Sequence, residues 1–413
     1  MSRTVNSLEN LKKVKDEALS CVHCGQCRVA HWPIQNFYYI CPVYKSDLIP
    51  KFEPYFARGK NIILKGLLWG DLELNEEVSE LFYQCSLCGA CEELCHNSMN
   101  DNIDFPTHKW TNMVEVFEAL RADLVEAGFG LDGHVSMNKA LVDLNNPYER
   151  DNQEKNNWID QLDFKVKNAS KEHTDLLYYV GCTAALTPKI QNIPIYTSKI
   201  LHKLGIDFGI LGENEICCGS VAMRTGDRKA FEMVAERNIQ MFKDLGIKTI
   251  ITSCAGCYRT LKKDYKNRLE GINVYHTVEF LQKYFNENNV ILKNLGSTTT
   301  YHDPCHLGRH MGMYEIPRDL LKQISHPTEM QTNRQSAMCC GAGGGLRKGN
   351  TELSLDLAKN RIREAKETGA ENLVSTCPFC YRNLSDALEE LNCEIKMIDL
   401  VQLIYESLNE KMI

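Results

Sequence analysis

The sequence lacks a membrane-spanning apolar run, an excess of basic residues and an apolar core near its start. The longest apolar stretches, such as residues 62–69, contain a lysine and are much shorter than the roughly 20 residues of a transmembrane helix. The 47 basic residues are outnumbered by 54 acidic ones, and a net charge of −7 argues against nucleic-acid binding. The opening residues lack the apolar segment of a secretory signal. We therefore expect a cytoplasmic protein without a membrane span, which reaches the inner face of a membrane only through a partner.

Cysteine is the abundant residue, with 19 among 413. Secreted disulfide proteins are usually short, carry a signal and have an even cysteine count, and this chain differs on all three points. In a reducing compartment, cysteines at close spacing indicate metal binding. Of the 19, Cys393 lies outside the patterns described below and is expected to be a small buried apolar residue.

The first eight cysteines form a ferredoxin-like pattern of CxxCxxC runs. In bacterial ferredoxins the fourth cysteine of each run ligates the other cluster. This predicts one cubane [4Fe-4S] cluster on Cys21, Cys24, Cys27 and Cys95, and a second on Cys85, Cys88, Cys91 and Cys41. Two features depart from the pattern: 13 residues separate Cys27 from Cys41, and His96 stands where a proline is usual. Zinc is the alternative metal, although two three-cysteine runs favour iron–sulfur.

The next ten cysteines form the same five-cysteine unit twice. The two sets are Cys182, Cys217, Cys218, Cys254 and Cys257, then Cys305, Cys339, Cys340, Cys377 and Cys380. Equivalent cysteines lie 122 or 123 residues apart, and CAGCYRTL at 254–261 corresponds to CPFCYRNL at 377–384. A constant offset of this kind indicates an internal duplication. Adjacent cysteines suit two metal atoms of one larger cluster, and Gly219 and Gly341 are expected to let the backbone pass close to it.

Each repeat is predicted to alternate strands and helices. Short apolar runs predict strands at 176–180, 248–253, 298–302 and 372–376, and longer periodic segments predict helices at 190–204, 227–245 and 351–368. Such alternation implies parallel sheets covered by helices, with ligands at the carboxyl ends of the strands, where Cys182, Cys254, Cys305 and Cys377 lie.

Four regions follow from these patterns. Residues 1–130 carry the ferredoxin-like domain, 131–171 form a linker, and the duplicated domains span 172–296 and 297–413. Within the linker, the polar residues 144–161 are expected to be an exposed loop. The predicted fold class is α+β with α/β: a mainly helical two-cluster ferredoxin-like domain, followed by two duplicated α/β domains with parallel sheets.

The cysteine spacing resembles the CCG domains of heterodisulfide reductases and their relatives, and residues 301–310, YHDPCHLGRH, resemble the family stretch around its first cysteine. With the ferredoxin-like half in front, the chain from about residue 10 onward resembles the D-type subunit of the membrane-linked enzymes. The resemblance implies that each five-cysteine set binds a non-cubane [4Fe-4S] cluster. It also implies that a disulfide is reduced between the two clusters, and that the two cubane clusters relay the electrons.

The resemblance leaves three functions open. The first is a catalytic heterodisulfide reductase subunit of anaerobic metabolism, which acts on a small thiol or disulfide within a hetero-oligomer that contains a membrane cytochrome b or a flavoprotein. The second is an electron-transfer subunit of a flavin dehydrogenase or larger respiratory complex (glycolate, lactate, glycerol-3-phosphate, sulfite or benzoyl-CoA type). The third is a scaffold with structural metal. Either proton donation or a structural role is open for His302 and His306.

Overall fold

The computed structural model describes residues 7–32, 37–39, 41–93, 95 and 112–408. The chain divides into two compact units, each assembled from separated segments. Unit 1 comprises Met1–Ser136, Val221–Lys229 and Gln331–Glu364, and unit 2 comprises Met137–Ser220, Ala230–Met330 and Ala365–Ile413. None of the helices among the described residues is both long and apolar enough to span a membrane.

The helices of the described residues are, in chain order, α1 (Glu9–Lys13), α2 (Lys15–Leu19), α3 (Pro42–Lys45), α4 (Ala57–Trp69), α5 (Glu76–Tyr83), α6 (Ala90–Glu93), α7 (Met113–Glu126), α8 (Asp132–Leu144), α9 (Cys182–Leu186), α10 (Asn192–Lys203), α11 (Ser220–Thr225), α12 (Arg228–Asp244), α13 (Ala255–Arg259), α14 (Thr277–Asn288), α15 (Glu315–Ile324), α16 (Leu346–Gly349), α17 (Thr351–Glu367), α18 (Pro378–Glu390) and α19 (Leu400–Ser407). The strands are β1 (Val29–Trp32), β2 (Phe37–Tyr39), β3 (Lys167–Asn168), β4 (Leu176–Tyr178), β5 (Gly209–Ile210), β6 (Thr249–Thr252), β7 (Asn273–His276), β8 (Thr298–Tyr301), β9 (His326–Pro327), β10 (Asn372–Ser375) and β11 (Lys396–Asp399).

Unit 1 is mainly helical, which confirms the fold predicted for the ferredoxin-like region. Its core joins α4, α5 and α7, with Phe82 and Phe117 packed edge to face at 5.4 Å between ring centres. Helix α5 begins where the Asn75 side chain accepts a hydrogen bond from the Val78 amide, which satisfies a backbone donor that the first turn leaves unpaired. Strands β1 and β2 form an antiparallel pair.

Unit 2 contains two parallel sheets, which confirms the predicted α/β repeats. Among the described residues, the first sheet has the order β3-β5-β4-β6-β7 and the second the order β11-β10-β8-β9. The predicted strand segments contain β4, β6, β8 and β10, and the predicted helix segments contain α10, α12 and α17, of which α17 lies mostly in unit 1. Strands β4 and β10 are buried along their whole length, because sheets between helices exclude water from both faces.

Residues 131–171 are more ordered than the linker that their polarity predicts. They contain α8, two short 3-10 helices and β3, which pairs with β5 at the edge of the first sheet. The interpretation of residues 144–161 as an exposed loop is corrected, because Trp158 is 1% and Lys155 2% exposed. Trp158 belongs to the core around the first sheet, and this packing outweighs the polarity of its neighbours in sequence. Cys393 is half-buried rather than buried.

Candidate metal centres

Four cysteines of unit 1 line one pocket, whose empty space of about 480 Å³ includes open solvent. They are Cys41, Cys85, Cys88 and Cys91, called here the Cys41 group. Cys41 immediately precedes α3, and Cys91 lies in α6. Leu87 adopts the left-handed conformation between the first two cysteines of the run, with φ of 53°, and turns the chain there. The structure thus brings Cys41 to the three cysteines from the later run.

The Cys41 group has the chemistry of a metal site. Burial raises the pKa of Cys41 to about 12, and repulsion from the thiols of Cys85 and Cys88 adds to the rise. Burial also raises the pKa of Cys91 well above its usual range. Four thiolates are therefore unfavourable here unless a cation compensates them, and an all-thiolate donor set is typical of iron–sulfur clusters.

Two buried cations lie beside this group. Lys60 is 1% exposed, lines the same pocket and donates hydrogen bonds to the carbonyls of Pro54 at 3.1 Å and Tyr55 at 2.9 Å. Burial lowers the pKa of Lys60 to about 8, and the thiols of Cys85 and Cys41 act in the opposite direction.

Arg121 is the second cation, and it is fully buried among main-chain carbonyls of unit 1. It donates to the carbonyls of Phe82 and Cys85 at 2.7 Å each, of Arg224 at 2.9 Å and of Gly344 at 2.6 Å. These carbonyls come from three segments of unit 1 that are far apart in sequence. One guanidinium therefore ties the run that begins at Cys85 to segments from both repeats.

The remaining ferredoxin-like cysteines are Cys21, Cys24, Cys27 and Cys95, called here the Cys21 group. Cys24 is exposed and the other three are buried. Burial raises the pKa of Cys21, and repulsion from Cys95 and Cys24 adds to the rise. Burial also raises the pKa of Cys27 to about 12, with further contributions from Cys41 and Cys21. Cys95 thus lies near Cys21, as a crossed arrangement of ligands requires, while His96 lies outside the described residues.

The first five-cysteine set converges at the carboxyl ends of β4 and β6 in unit 2. Cys182 begins α9 after β4, and Cys254 precedes α13 after β6. All five cysteines are buried, with 3.6 Å between the sulfurs of Cys182 and Cys217 and 3.5 Å between those of Cys218 and Cys257. This set therefore lies where the sequence predicts it, at the carboxyl ends of parallel strands.

Hydrogen bonds between the thiols of unit 2 shift the pKa values of individual cysteines. The pKa of Cys218 is lowered because it shares hydrogen bonds with the thiols of Cys217 and Cys257. The pKa of Cys377 is also lowered, because Cys254 and Cys380 donate to it. Cys254 belongs to the first repeat and Cys377 to the second, so the two CxxC motifs meet in unit 2.

The second five-cysteine set is divided between the units. Cys305, Cys377 and Cys380 belong to unit 2, whereas Cys339 and Cys340 belong to unit 1. All five are buried. Beside the first of them, the Nδ1 atom of His306 lies 3.4 Å from the sulfur of Cys305, and its ring stacks on His310 at 4.4 Å. His302 follows β8 and is also buried.

Helices pack closely against Gly219 and Gly341. A Cβ on Gly219 would lie 2.7 Å from Val234 of α12, and one on Gly341 would lie 2.5 Å from the Ser354 carbonyl oxygen of α17. Helix packing therefore requires a glycine at both positions, and the expected approach of the backbone to a cluster stays a prediction. A Cβ on Gly344, whose φ is +63°, would lie 2.6 Å from the carbonyl carbon of Ser86.

Several buried residues near the cysteines carry no motif of their own. Glu215 accepts hydrogen bonds from the amides of Val180 and Gly181 at 2.8 Å each, and so fixes the chain before Cys182. His276 and Asp399 end β7 and β11, and each caps the helix that follows. The repeat offset could have revealed this last pair, since 123 residues separate its members.

Comparisons with protein families match nearly all of the cysteine-bearing regions. The family described as a cysteine-rich domain, CCG, matches residues 176–262 and 299–385. The family described as a 4Fe-4S dicluster domain matches residues 17–99.

Known proteins with similar sequences or folds include three that bear on this chain. The D-type subunit of the dihydromethanophenazine:CoB–CoM heterodisulfide reductase of Methanosarcina mazei is 34% identical over 412 residues, which cover 94% of this chain and 93% of that protein. The EtfAB:quinone oxidoreductase of Syntrophomonas wolfei is 27% identical over 94% of this chain and 58% of its own length. A hypothetical protein from Helicobacter pylori has a similar fold, with a TM-score of 0.52 at 11% identity, over 88% of this chain and 70% of that one.

Proposed function

The chain belongs to the family of the D-type heterodisulfide reductase subunits, and on this basis we propose that it reduces a disulfide. It is an iron–sulfur oxidoreductase subunit with a 4Fe-4S dicluster domain and two CCG domains. The proposed substrate is the mixed disulfide of coenzyme M and coenzyme B or a related small disulfide. The reaction breaks one S–S bond, consumes two electrons and two protons and releases two thiols.

The proposal assigns four cluster sites. The Cys21 group and the Cys41 group each hold a cubane cluster, and the two five-cysteine sets each hold a non-cubane cluster. The clusters supply single electrons, of which the disulfide needs two. The ten cysteines of the two five-cysteine sets are buried, and Glu215 keeps Cys182 in position by holding the two amides that precede it.

The meeting of Cys254 and Cys377 is the observation that carries this function. It puts the CxxC motif of the first repeat beside that of the second, within one unit. A disulfide between two equivalent sites has a metal site for each of its sulfurs. A chain that only passed electrons along would have no need of a second complete five-cysteine set next to the first.

A second candidate function is electron transfer without disulfide chemistry. The Syntrophomonas wolfei relative, named as an EtfAB:quinone oxidoreductase, favours it. In that case the partner is a flavoprotein, whereas a disulfide reductase takes its electrons from a membrane cytochrome b or a flavoprotein subunit. Both functions place the chain in a hetero-oligomer, in the cytoplasm or at the inner face of the membrane through a partner.

The test uses the complete protein, purified without oxygen, and a reduced viologen dye that replaces the unknown electron donor. Adding the coenzyme M–coenzyme B disulfide should oxidise the dye, and the protein should contain about 16 iron atoms per chain, as four four-iron clusters require. No turnover with full iron content would instead support the electron-transfer function. Zinc in place of iron would favour a structural scaffold.

Single-cysteine variants locate the chemistry. Cys218→Ala and Cys340→Ala should each abolish turnover and leave the electron paramagnetic resonance signals of the cubane clusters unchanged. Cys393→Ala is the matched control, because it removes a thiol that belongs to none of the sets, and it should retain full activity. Full activity of Cys218→Ala or Cys340→Ala would exclude a reaction at the five-cysteine sites.

A further inference from the structure

The two four-cysteine groups of unit 1 differ in the charges around them. Lys60 lines the pocket of the Cys41 group at 1% exposure, and it donates hydrogen bonds to the carbonyls of Pro54 and Tyr55. Arg121 is fully buried and donates to the carbonyl of Cys85, one of the four cysteines. Carbonyl partners leave a full positive charge on each side chain, and because both side chains are almost fully buried, solvent screens that charge little.

The cations near the Cys21 group are placed differently. Arg58 is half-buried and its Nε donates to the Glu53 carboxylate at 2.8 Å, so its charge is paired. Lys65 donates to the Cys21 carbonyl at 2.8 Å and is also half-buried, which leaves it open to screening by water and salt. Cys24 of this group is exposed, and the neighbouring Val22 is 67% exposed.

Adding an electron makes an iron–sulfur cluster one unit more negative, and nearby charge, hydrogen bonding and solvent exposure set how favourable this is. Burial alone disfavours the added negative charge and lowers the reduction potential. A buried cation has the opposite effect, and its effect is largest where the surroundings are least polarisable. Lys60 and Arg121 therefore act against the desolvation of the Cys41 group.

We propose that Lys60 and Arg121 raise the reduction potential of the Cys41-group cluster above that of the Cys21-group cluster, and so fix the order of electron transfer. Electrons enter at the Cys21 group, where Cys24 is exposed, and pass to the Cys41 group. The onward side of the Cys41 group is marked by Arg121, which bonds both the Cys85 carbonyl and the Gly344 carbonyl, four residues after Cys340. This inference rests on the proposed function in one respect, namely that each four-cysteine group holds a cluster.

The experiment is a redox titration of the complete protein, followed by electron paramagnetic resonance. In the unaltered protein the Cys41-group cluster should be reduced first. A Cys24→Ser variant assigns the signals, because only the Cys21-group signal should change. If the Cys21-group cluster is instead the first to be reduced, the proposal is overturned, and this measurement needs no variant of Lys60.

Charge variants test the cause. Lys60→Gln should lower the midpoint potential of the Cys41-group cluster and leave the other unchanged, whereas Lys60→Arg, which keeps the charge, should restore it. Lys65→Gln is the matched control from the other group and should leave the Cys41-group potential unchanged. If both clusters can be reduced but neither midpoint potential changes in Lys60→Gln, this inference alone is overturned. Fewer than two reducible clusters in unit 1 overturn the cluster assignment of the proposed function as well.

Discussion

The two sheets of unit 2 share a strand order, but different buried charges stabilise them. The strand order β5-β4-β6-β7 in the first sheet corresponds to β9-β8-β10-β11 in the second, and the first sheet adds β3 at its edge. The hydroxyl of Tyr178 lies 3.2 Å from that of Ser253, and the equivalent hydroxyls of Tyr301 and Thr376 are 2.8 Å apart. Even buried side-chain contacts have therefore been retained in both copies.

The supports differ at the end of the first strand of each copy. In the first repeat, Glu215 holds the amides of Val180 and Gly181. In the second, Arg318 donates twice to Asp303, at 2.6 and 2.9 Å, and also to Glu329. The cysteine positions and strand register are thus the fixed part of the duplication, and each copy satisfies its buried polar groups independently.

Breaking the buried ion pair of the second repeat should have the largest effect. Arg318→Met leaves the buried Asp303 carboxylate without its guanidinium, and loss of one partner of a buried pair costs about 3–5 kcal/mol of unfolding free energy. Urea unfolding of the anaerobic protein, followed by circular dichroism, measures the change. Arg268→Met is the control, because its ion pair with Glu232 is partly exposed and exposed pairs contribute less than about 1 kcal/mol. Equal losses in the two variants would contradict this account.

Altering the corresponding support of the first repeat should cost less. Glu215→Gln replaces one of two acceptor oxygens by a donor that faces a backbone N–H, which costs about 1–3 kcal/mol. Glu213→Gln keeps its acceptor toward Asn156 and should change the urea midpoint little. If Glu213→Gln destabilises the protein as much as Glu215→Gln, the loss at Glu215 does not come from its hydrogen bonds with the two amides.

The pair His276 and Asp399 should give the two repeats opposite responses to pH. Burial raises the pKa of Asp399 from 3.8 to about 8, so its contribution is present at low pH and is lost as pH rises toward 8. Burial lowers the pKa of His276 from 6.5 to about 4, so its contribution is present above 6.5 and is lost as pH falls toward 4. Within these pH ranges, each group changes the unfolding free energy by about 1.4 kcal/mol per pH unit.

Single variants separate these two slopes. Between pH 6.5 and 8, the protonation of Asp399 affects the unfolding free energy and that of His276 does not. The unaltered protein should lose about 2 kcal/mol of unfolding free energy over this range, and Asp399→Asn should not. His276→Asn should instead remove the opposing acid-side slope between pH 6.5 and 4. Unfolding midpoints across this pH range provide the measurement. If Asp399→Asn changes only the acid side, the assignment of the slopes is wrong.

The shared hydroxyl pairs should give the smallest and most similar effects. Tyr178→Phe and Tyr301→Phe each remove one neutral hydrogen bond and keep the ring, at a cost of about 0.5–1.5 kcal/mol. Thermal unfolding of the two variants should give nearly equal shifts. Because Arg318 also lies over the Tyr301 ring at 5.2 Å, Tyr301→Leu should cost more than Tyr178→Leu.

The sequence predicts the repeated strands and helices of this protein well. It predicts poorly the long-range contacts that stabilise them. Strand and helix positions follow from local apolar patterns, and the constant offset reveals the duplication, because both signals lie within short stretches of chain. The roles of Lys60 and Arg121 depend on carbonyls that only the folded chain brings to them. The packing of Trp158 likewise depends on distant residues, so the polar residues around it suggested a loop.

Arg121 also has a consequence for how the protein is made. Its carbonyl partners include Phe82, Arg224 and Gly344, so the ribosome must add Gly344 before this buried guanidinium is satisfied. At ordinary translation rates, the delay between Cys91 and Gly344 is on the order of ten seconds or more. During that interval the thiols of the Cys41 group belong to an unfinished nascent chain. On the proposed function, the cluster of the Cys41 group is surrounded by its full set of contacts only once the polypeptide is nearly complete.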